Sequence, residues 1–326
     1  MTTRPGKQRP SPERLEGILA YHQVLLADRR RNRAFAAALR ARVRPGSTVM
    51  DLGAGSGIWA VYAARLGAKR VTAVEKQPLL VSIIERLARE NGVGDRVEVV
   101  HGESRRLDLP RSFDCIVSET VGGEVFDEDI VAILADARRR FLKRGGVLIP
   151  EGVTLAAAPA ALPEPLGVHP PLVRAESFRA LAVHAPSAMP PERFRPLARA
   201  ARLLRVDLRR AVPPVPLAGL RARYGVADGA RVGCFGVWGE LDLAPGIRLS
   251  TRSAASWGVT YFPVEPLPRG PCRLDLELTL GRRPHWRVTR TSARGDLDVH
   301  DYSPLFAYGA VQRPHRRVVD SLGPRR

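Results

Sequence analysis

The sequence predicts a doubly wound α/β domain followed by a β-rich, barrel-like second domain. Up to Pro150, short apolar runs alternate with stretches of helical periodicity, which is the pattern of a parallel sheet with crossover helices. After Pro150, period-two alternation replaces the helical periodicity, and 21 of the 28 prolines lie beyond that position. We therefore expect a flexible N-terminus over 1–12, one domain over 13–150 and a second over 151–326.

The elements of the first domain can be assigned in chain order. Apolar residues at helical spacing over 13–43 predict one or two helices, which the Pro45-Gly46 pair ends. Short apolar runs predict five strands at 48–52, 71–75, 97–101, 113–118 and 147–149. Helices are predicted over 58–66, from Pro78 to the Asn91-Gly92 pair, and over about 127–142.

The second domain is predicted to be an antiparallel sheet or barrel. Strand-like runs occur at 231–243, 247–251, 258–264, 273–280 and 286–291, several with alternating apolar and polar residues. One helical patch is predicted at about 191–204, and no internal repeat is visible.

The formal charge of +19 would ordinarily suggest a nucleic-acid partner. However, 48 of the 52 basic residues are arginine, a bias that a GC-rich genome imposes on any protein. The basic clusters carry no interleaved aromatic residues for stacking bases, so nucleic acid is not the favoured partner and most clusters are interpreted as solvated faces. These clusters include Arg29-Arg30-Arg31, Arg138-Arg139-Arg140 and Arg282-Arg283.

Several classes of protein are disfavoured by the composition. The first seven residues lack the apolar core of a signal peptide, and no run approaches the roughly 18 apolar residues of a membrane span. Cys115, Cys234 and Cys272 are single and widely spaced, which fits neither a disulfide framework nor a zinc site. We expect a cytoplasmic enzyme with buried thiols, no metal site and no membrane partner.

A glycine-rich turn follows the first predicted strand, with the pattern Asp51-x-Gly53-x-Gly55-x-Gly57. Glycine is needed where a side chain would hold a ligand away from the backbone or forbid a tight strand-to-helix turn. The helix that follows presents free N–H groups to such a ligand. Taken alone, the pattern can also be an ordinary glycine turn.

Two further residues favour a cofactor. Glu75 ends the second strand, at about the distance downstream where an acidic side chain accepts both ribose hydroxyls in doubly wound folds. The dinucleotide fingerprint would require glycine at position 58, where this chain has Ile58. Because the loop lacks the phosphate-binding fingerprint and is preceded by Asp51, it suits a ligand whose amino-acid end carries an ammonium group. The segment resembles the S-adenosylmethionine loop of class I, Rossmann-like methyltransferases.

The loop after the fourth strand is the catalytic candidate. Because the carboxyl ends of central strands face the ligand crevice, Glu119 should point at the reactive end of the cofactor. Glu128 lies nine residues on, within reach of a loop that folds back. Glu128 has an alternative interpretation, since acidic residues at 127–129 would favour the dipole of a helix that begins there.

Here the chain resembles the protein arginine methyltransferases. Their loop has the form SExxGxxxxxE, which Ser118, Glu119, Gly122 and Glu128 match. The resemblance covers about 21–158, and the family's second half is a barrel. It implies that Glu119 and Glu128 are the catalytic residues and that they bind the guanidine of the acceptor.

The resemblance also implies the cofactor site. In it, Arg31 holds the carboxylate of S-adenosylmethionine, Glu75 binds the ribose, and the segment from Gly102 to Arg105 borders the adenine. The cofactor-binding residues implied are Arg31, Asp51, Gly53, Gly55, Gly57, Glu75, Lys76, Gly102, Glu103, Ser104 and Glu119.

The chain departs from the family where the acceptor is held. The family's aromatic YFxxY segment is absent over 12–16, and the Trp, Met and Tyr of its glutamate loop are replaced by Thr120, Val121 and Gly123. Its Thr-His-Trp turn aligns best with residues 255–257, so Ser256 replaces the histidine. Pro284-His285-Trp286 lies on a later predicted strand and is interpreted as a coincidence. The candidate substrate residues are His22, Ser256 and Trp257.

Three functions remain open at this point. The first is transfer of a methyl group from S-adenosylmethionine to a guanidine of a protein, peptide or small molecule, by an enzyme that could act as a homodimer. The second is a class I methyltransferase that acts on an amine, a hydroxyl or a nucleic acid. The third is a cofactor-binding protein without catalysis. Base methylation usually uses Asn or Asp followed by Pro-Pro and an aromatic residue after strand four, which residues 118–121 do not resemble.

Overall fold

The computed structural model describes residues 12–126, 128–162, 186–210, 217–281 and 284–303. Residues 1–11 of the predicted flexible N-terminus and the Arg282-Arg283 cluster lie outside these residues, and Pro12 is the first residue of a helix. The chain divides into two compact units. Among the described residues, the first unit comprises 12–119 and 136–149, and the second comprises the remainder. Residues 120–135, which include the loop after the fourth strand, group with the second unit.

The first unit is built on a parallel sheet. Its helices are α1 (Pro12–Ala27), α2 (Arg29–Arg42), α3 (Ile58–Arg65) and α4 (Pro78–Glu90), and α5 (Ile130–Arg140) ends in it. Its strands are β1 (Thr48–Leu52), β2 (Arg70–Glu75), β3 (Val97–His101), β4 (Phe113–Ser118) and β5 (Leu142–Ile149). The strand order is β3-β2-β1-β4-β5, with all neighbours parallel. The predicted doubly wound α/β fold is confirmed.

Local sequence explains where these elements begin. Asp28 caps α2, because its carboxylate accepts hydrogen bonds from the backbone N–H groups of Arg30 and Arg31 at 3.1 and 3.0 Å. Pro78 occupies the first position of α4, where its missing N–H costs nothing. The apolar stripe of α4 buries Leu80, Ile84 and Ala88.

The ends of β1 and β4 form the topological switch point of this sheet. The chain winds from β1 towards β2 and β3 on one side and returns to β4 and β5 on the other. Ligands bind outside the carboxyl ends of strands at such a point. The hydroxyl of Ser118, buried at the end of β4, donates to the carbonyl oxygen of Leu52 at the end of β1 at 2.9 Å. This bond fixes the backbone immediately before Glu119.

The second unit consists mainly of antiparallel strands. They are β6 (Gly152–Ala160), β7 (Ser187–Met189), β8 (Ala201–Asp207), β9 (Leu220–Val226), β10 (Cys234–Ala244), β11 (Ile247–Ser250), β12 (Val259–Pro263), β13 (Cys272–Thr279), β14 (His285–Ser292) and β15 (Leu297–Tyr302). One sheet has the order β7-β12-β10-β6-β8, with β11 paired to β10, and the other has the order β15-β14-β13-β9. The five predicted strands correspond to β10–β14.

Two sequence-based expectations need correction. The helix predicted at about 191–204 is wrong: a short 3-10 helix spans Pro191–Arg193, and β8 begins at Ala201. Pairing of β8 with β6 outweighs the helical preference of its alanine, leucine and arginine residues. The helix predicted from 127 begins instead at Ile130, because Asp129 has a φ of 63°, outside the helical region.

The cysteines are buried thiols, as expected. Cys115, Cys234 and Cys272 are all free, and burial raises the pKa of Cys115 and of Cys234 to about 12. Among the helices described, none is both long and apolar enough to cross a membrane.

Candidate active site

The glycine-rich turn adopts a backbone that requires its glycines. Gly53, Gly55 and Gly57 have φ values of 68°, 55° and 82°, in the left-handed region that side chains disfavour. A Cβ on Gly55 would lie 2.7 Å from the His22 ring, and one on Gly57 would lie 2.9 Å from Ile84. The loop is thus closely covered on these sides, and its shape depends on glycine.

Glu75 holds this loop in place. It is buried at the end of β2, and its Oε2 accepts a hydrogen bond from the Gly55 N–H while Oε1 accepts one from the Gln77 N–H, both at 2.8 Å. Among the described residues, each carboxylate oxygen has only this one donor and retains a second lone pair. Glu75 can therefore organise the loop and still accept two hydroxyl groups. Lys76, which follows it, is exposed.

Asp51 is a buried carboxylate whose two oxygens have no hydrogen-bond partner of normal geometry among the described residues. Burial raises its pKa to about 7, against the lowering effect of the Ala60 backbone N–H; the charge of Glu75 raises it further and that of Arg31 lowers it. An ammonium group would satisfy such a carboxylate. The site therefore fits the amino-acid end of S-adenosylmethionine.

The predicted adenine edge is a short, fixed turn after β3. The Gly102 N–H donates to the Glu75 carbonyl oxygen at 2.9 Å, and a 3-10 helix spans Ser104–Arg106. Glu103 pairs with Arg105 at 3.2 Å, and the carbonyl oxygen of Ser104 accepts a bond from Arg140 at 3.2 Å. The bond to Glu75 places the turn beside the end of β2, and the bond from Arg140 connects it to α5.

His22 lies on α1 next to the glycine loop. Its ring approaches Gly55 and packs edge-on against Tyr21. Burial lowers the pKa of His22, opposed by the charge of Glu75, while the charge of Arg31 lowers it further. In the first unit, this residue is therefore a neighbour of the cofactor-type loop.

Arg31 and Glu119 form a buried, bidentate ion pair. The Arg31 Nε donates to Glu119 Oε1 at 2.5 Å, and Nη2 contacts Oε2. Only 4% of the Arg31 side chain and 6% of the Glu119 side chain are exposed. Nη1 of Arg31 donates to the Leu25 carbonyl at 3.1 Å and to the Asn32 amide oxygen at 2.6 Å. Among the described residues, one N–H of Nη2 has no partner, so Arg31 can still receive a carboxylate.

Burial lowers the pKa of Arg31 to about 10, partly offset by the nearby Asp28, Tyr21 and Asp51. The guanidinium therefore remains charged at neutral pH. The two preceding arginines, Arg29 and Arg30, are exposed. Of these three arginines, Arg31 alone is buried, and its role in the site stays a prediction.

Trp59, which the sequence interpretation did not include, also contacts Glu119. Its indole Nε1 donates to Glu119 Oε2 at 3.1 Å, and its ring lies 5.4 Å from the Arg31 guanidinium. The residue is in α3, two positions after Gly57, among apolar neighbours. A buried tryptophan is usually a core residue, so the sequence carried no signal of this bond.

The second unit holds the other candidate carboxylate. Glu128 is exposed and lies in a turn before α5, and no acidic residue occupies the first turn of that helix. The helix-dipole interpretation of Glu128 as a first-turn residue is therefore wrong. Asp127, the neighbouring acidic residue, lies outside the described residues.

The loop that carries Glu128 is anchored through its backbone. The Gly123 carbonyl oxygen accepts hydrogen bonds from the Thr251 hydroxyl at 2.8 Å and from the Gly239 N–H at 3.3 Å. Val125 has a φ of 72°, which is strained for a β-branched residue. A Cβ on Gly239 of β10 would lie 1.6 Å from Cγ2 of Val125. The Val125 side chain therefore fits only because residue 239 is glycine.

Of the candidate substrate residues in the second unit, Trp257 is half-buried, and its indole nitrogen has no partner in the described part of the chain. Its carbonyl oxygen lies 3.8 Å from a Cβ built on Gly123, so this turn and the Glu128 loop are neighbours within the unit. In the alternative Pro284-His285-Trp286, the last two residues begin β14, and Trp286 is fully buried and donates to the Pro263 carbonyl at 2.9 Å. Trp286 is a core residue of the second unit.

The chain is similar to known methyltransferases. Residues 49–146 match a methyltransferase domain family. The chain is 33% identical over 268 residues to an arginine N(omega)-methyltransferase of Streptomyces achromogenes subsp. streptozoticus, covering 76% of this chain and 72% of that relative. It is also 33% identical over 145 residues to a probable protein arginine N-methyltransferase 6 of Arabidopsis thaliana, covering 44% of this chain and 33% of that relative. The chain thus spans about a third of the plant protein.

The fold is shared with a solved structure. PRMT1 of Trypanosoma brucei, determined as an enzyme-prozyme heterotetrameric complex with AdoHcy, superposes with a TM-score of 0.71 and 16% sequence identity. The superposition covers 87% of this chain and 97% of the other. At this identity, the likeness concerns the fold alone, and it includes the β-rich second half.

Proposed function

The chain belongs to the arginine methyltransferase family, and from this premise we propose that it transfers a methyl group from S-adenosylmethionine to a guanidine nitrogen of arginine. The observation that carries the proposal is the buried carboxylate of Glu119, at the switch point of the sheet and beside the cofactor-type loop. Its partner in the family pattern, Glu128, is exposed in the second unit.

The cofactor is assigned to residues of the first unit. Asp51 would hold the ammonium group, the spare N–H of Arg31 the carboxylate, and Glu75 the ribose hydroxyls, beside the loop of Gly53, Gly55 and Gly57 and the turn at 102–105. When bound, S-adenosylmethionine supplies an electrophilic methyl group on its sulfonium. The chemistry that remains for the protein is to orient the acceptor.

A guanidinium has a pKa of about 12.5 or more, so deprotonating it before the reaction is impractical. Carboxylates can instead bind its N–H groups and draw positive charge to one side, which leaves the opposite nitrogen richer in electrons. Glu119 and Glu128 are proposed to do this together. The rate gain then comes mainly from alignment and desolvation.

We favour a small acceptor that carries the arginine side chain, such as free arginine, over a folded protein. The Streptomyces relative, named for arginine, aligns far into the second half of this chain, whereas the plant relative aligns over less than half of it. The aromatic residues that shape the family's peptide channel are here Thr120, Val121 and Gly123. Smaller, non-aromatic side chains at these positions suit a small acceptor such as free arginine better than an arginine within a peptide.

The test is transfer of labelled methyl from S-adenosylmethionine to free arginine, to an arginine-containing peptide and to lysate proteins, with mass analysis of the product. We expect a methylated guanidine in the free-arginine reaction and little in the others. Label found in the peptide or protein fraction would support guanidine methylation but show that the acceptor is a peptide or a protein rather than free arginine. Label on an amine, a hydroxyl or a nucleic acid, or cofactor binding without any labelled product, would contradict the proposed function.

Cytoplasmic location and formation of a homodimer stay predictions from the sequence and the resemblance. Light scattering of the purified chain would test the second.

A further inference from the structure

The indole N–H of Trp59 donates a hydrogen bond to the carboxylate of Glu119, in addition to the ion pair that Glu119 forms with Arg31. We propose that Trp59 is a positioning residue that fixes which lone pair of Glu119 faces the acceptor guanidinium. The proposal rests on the proposed function, because it concerns the orientation of the carboxylate that would bind the acceptor.

The Trp59 ring is held on two sides. It is 4% exposed and stacks on Phe35, with ring centroids 5.2 Å apart and an angle of 23° between the planes. Phe35 is itself fully buried on α2. The Arg31 guanidinium lies over the same ring at 5.4 Å. An indole held in this way cannot swing without disturbing two buried neighbours, so the direction of its N–H is fixed.

The hydrogen bonds to Glu119 leave it asymmetric. A carboxylate has about four lone-pair positions, two on each oxygen. Oε2 receives both Arg31 Nη2 and Trp59 Nε1, whereas Oε1 receives only Arg31 Nε, among the described residues. One position, on Oε1, remains for an acceptor N–H. Glu119 therefore offers one defined contact in this arrangement, and the other contacts to the acceptor must come from elsewhere.

Removing the indole N–H would open a second position on Oε2. The acceptor could then bind in more than one orientation, of which one aligns the reacting nitrogen. Such a change should reduce the rate of transfer more than the affinity for the cofactor. The bond from Trp59 to Glu119 does not involve Asp51, Glu75 or the glycine loop, to which the cofactor is assigned. A purely structural role for Trp59 would instead lower stability and cofactor affinity together.

The experiment compares Trp59→Phe with Trp286→Phe as a matched control. Both remove a buried indole N–H bond and keep an aromatic ring, but the Trp286 N–H donates to a backbone carbonyl in the second unit. We expect kcat with arginine to fall about tenfold or more in Trp59→Phe, since a misplacement of about 1 Å can cost 100-fold. The Kd for S-adenosylmethionine should stay within about twofold. Trp286→Phe should keep the wild-type kcat.

A double variant shows whether Trp59 acts through Glu119. In the Glu119→Gln background, Trp59→Phe should reduce kcat by less than about twofold further, because residues that act as a unit are non-additive. Full additivity of the two losses, an unchanged kcat in Trp59→Phe, or a loss of the same size in Trp286→Phe would overturn the inference.

A readout without catalysis separates this inference from the proposed function. The chain has four tryptophans, so 15N-labelled indole groups give four N–H signals at most. The signal absent in Trp59→Phe should move in Glu119→Gln, while the other three stay in place. If it does not move, the contact is overturned whatever the enzyme's activity. If it moves but the wild-type chain does not methylate arginine, the proposed function fails and the contact stands.

Discussion

The two candidate carboxylates of this protein are held in opposite ways. In the first unit, Glu119 is buried and bound by three donors from Arg31 and Trp59. In the second unit, Glu128 is exposed in a turn whose fixed points are backbone contacts of Gly123 and the packing of Val125. The comparison indicates that side chains fix the position of the Glu119 carboxylate, whereas the position of Glu128 depends on the loop that carries it.

The largest effects should follow removal of either carboxylate charge. Glu119→Gln and Glu128→Gln should each lower kcat with arginine about 100-fold or more, because the acceptor loses an alignment contact. Amides are close in shape to carboxylates, so the Kd for S-adenosylmethionine and the melting temperature should change little in Glu128→Gln. Turnover of Glu128→Gln close to wild type would leave acceptor binding to the first unit alone.

The next largest effect should come from Arg31. Arg31→Ala should raise the Kd for S-adenosylmethionine at least tenfold, and it should cost about 3 kcal/mol of stability because it leaves the Glu119 carboxylate buried without its main partner. Arg29→Ala and Arg30→Ala remove exposed charges and are matched controls that should leave both quantities nearly unchanged. Calorimetry and thermal unfolding measure the two effects. Equal losses in all three variants would contradict the assignment.

On the loop side, Gly239→Ala should act through Val125. A methyl group at this position overlaps the Val125 side chain, so the loop or β10 must shift, at a cost of about 1–3 kcal/mol. The turnover of Gly239→Ala should fall together with its stability, since Glu128 lies on the same loop as Val125. Gly225→Ala on β9 is the control and should be nearly neutral, because no atom of the described residues lies within 4 Å of the added Cβ. Similar melting temperatures for the two variants would show that the loop is not anchored there.

A smaller effect concerns pH. The pKa of Asp51 is raised from 3.8 to about 7, so the free protein holds a proton there that the unfolded chain releases, and its stability should fall as pH rises from about 4 to about 7. An ammonium partner favours the ionised form, so cofactor binding at pH 6 should release close to one proton, and affinity should fall by up to about tenfold per pH unit below 7. Calorimetry in buffers of different ionisation enthalpy measures this release. Asp51→Asn should abolish it, and an unchanged release in that variant would contradict the role of Asp51.

The sequence was sufficient for the parts of the molecule whose residue types are dictated by backbone or burial. Parallel strands buried on both faces appear as apolar runs, and a left-handed turn such as that at Gly53 and Gly55 appears as glycine. The bond from Trp59 to Glu119 could not be predicted, because it joins residues 60 positions apart and its signal is identical to that of a core tryptophan.

The second unit was less predictable for a physical reason. β6 contains four alanines, which have low strand preference, and it forms because β10 and β8 pair with it on its two sides. β8 begins with alanine, arginine and leucine, which favour helices, so its composition predicts a helix where pairing with β6 forms a strand. The left-handed conformation of Val125 is equally hidden, since it depends on Gly239, more than a hundred residues later.

Joint action of the two carboxylates is tested most directly by the kcat/KM for arginine in the double variant Glu119→Gln with Glu128→Gln, compared with that of each single variant. If the two carboxylates grip one guanidinium as a unit, the double variant should lose little more than the worse single one. If instead the two losses multiply, the carboxylates act independently, and the central claim that they bind a single acceptor cation together is contradicted.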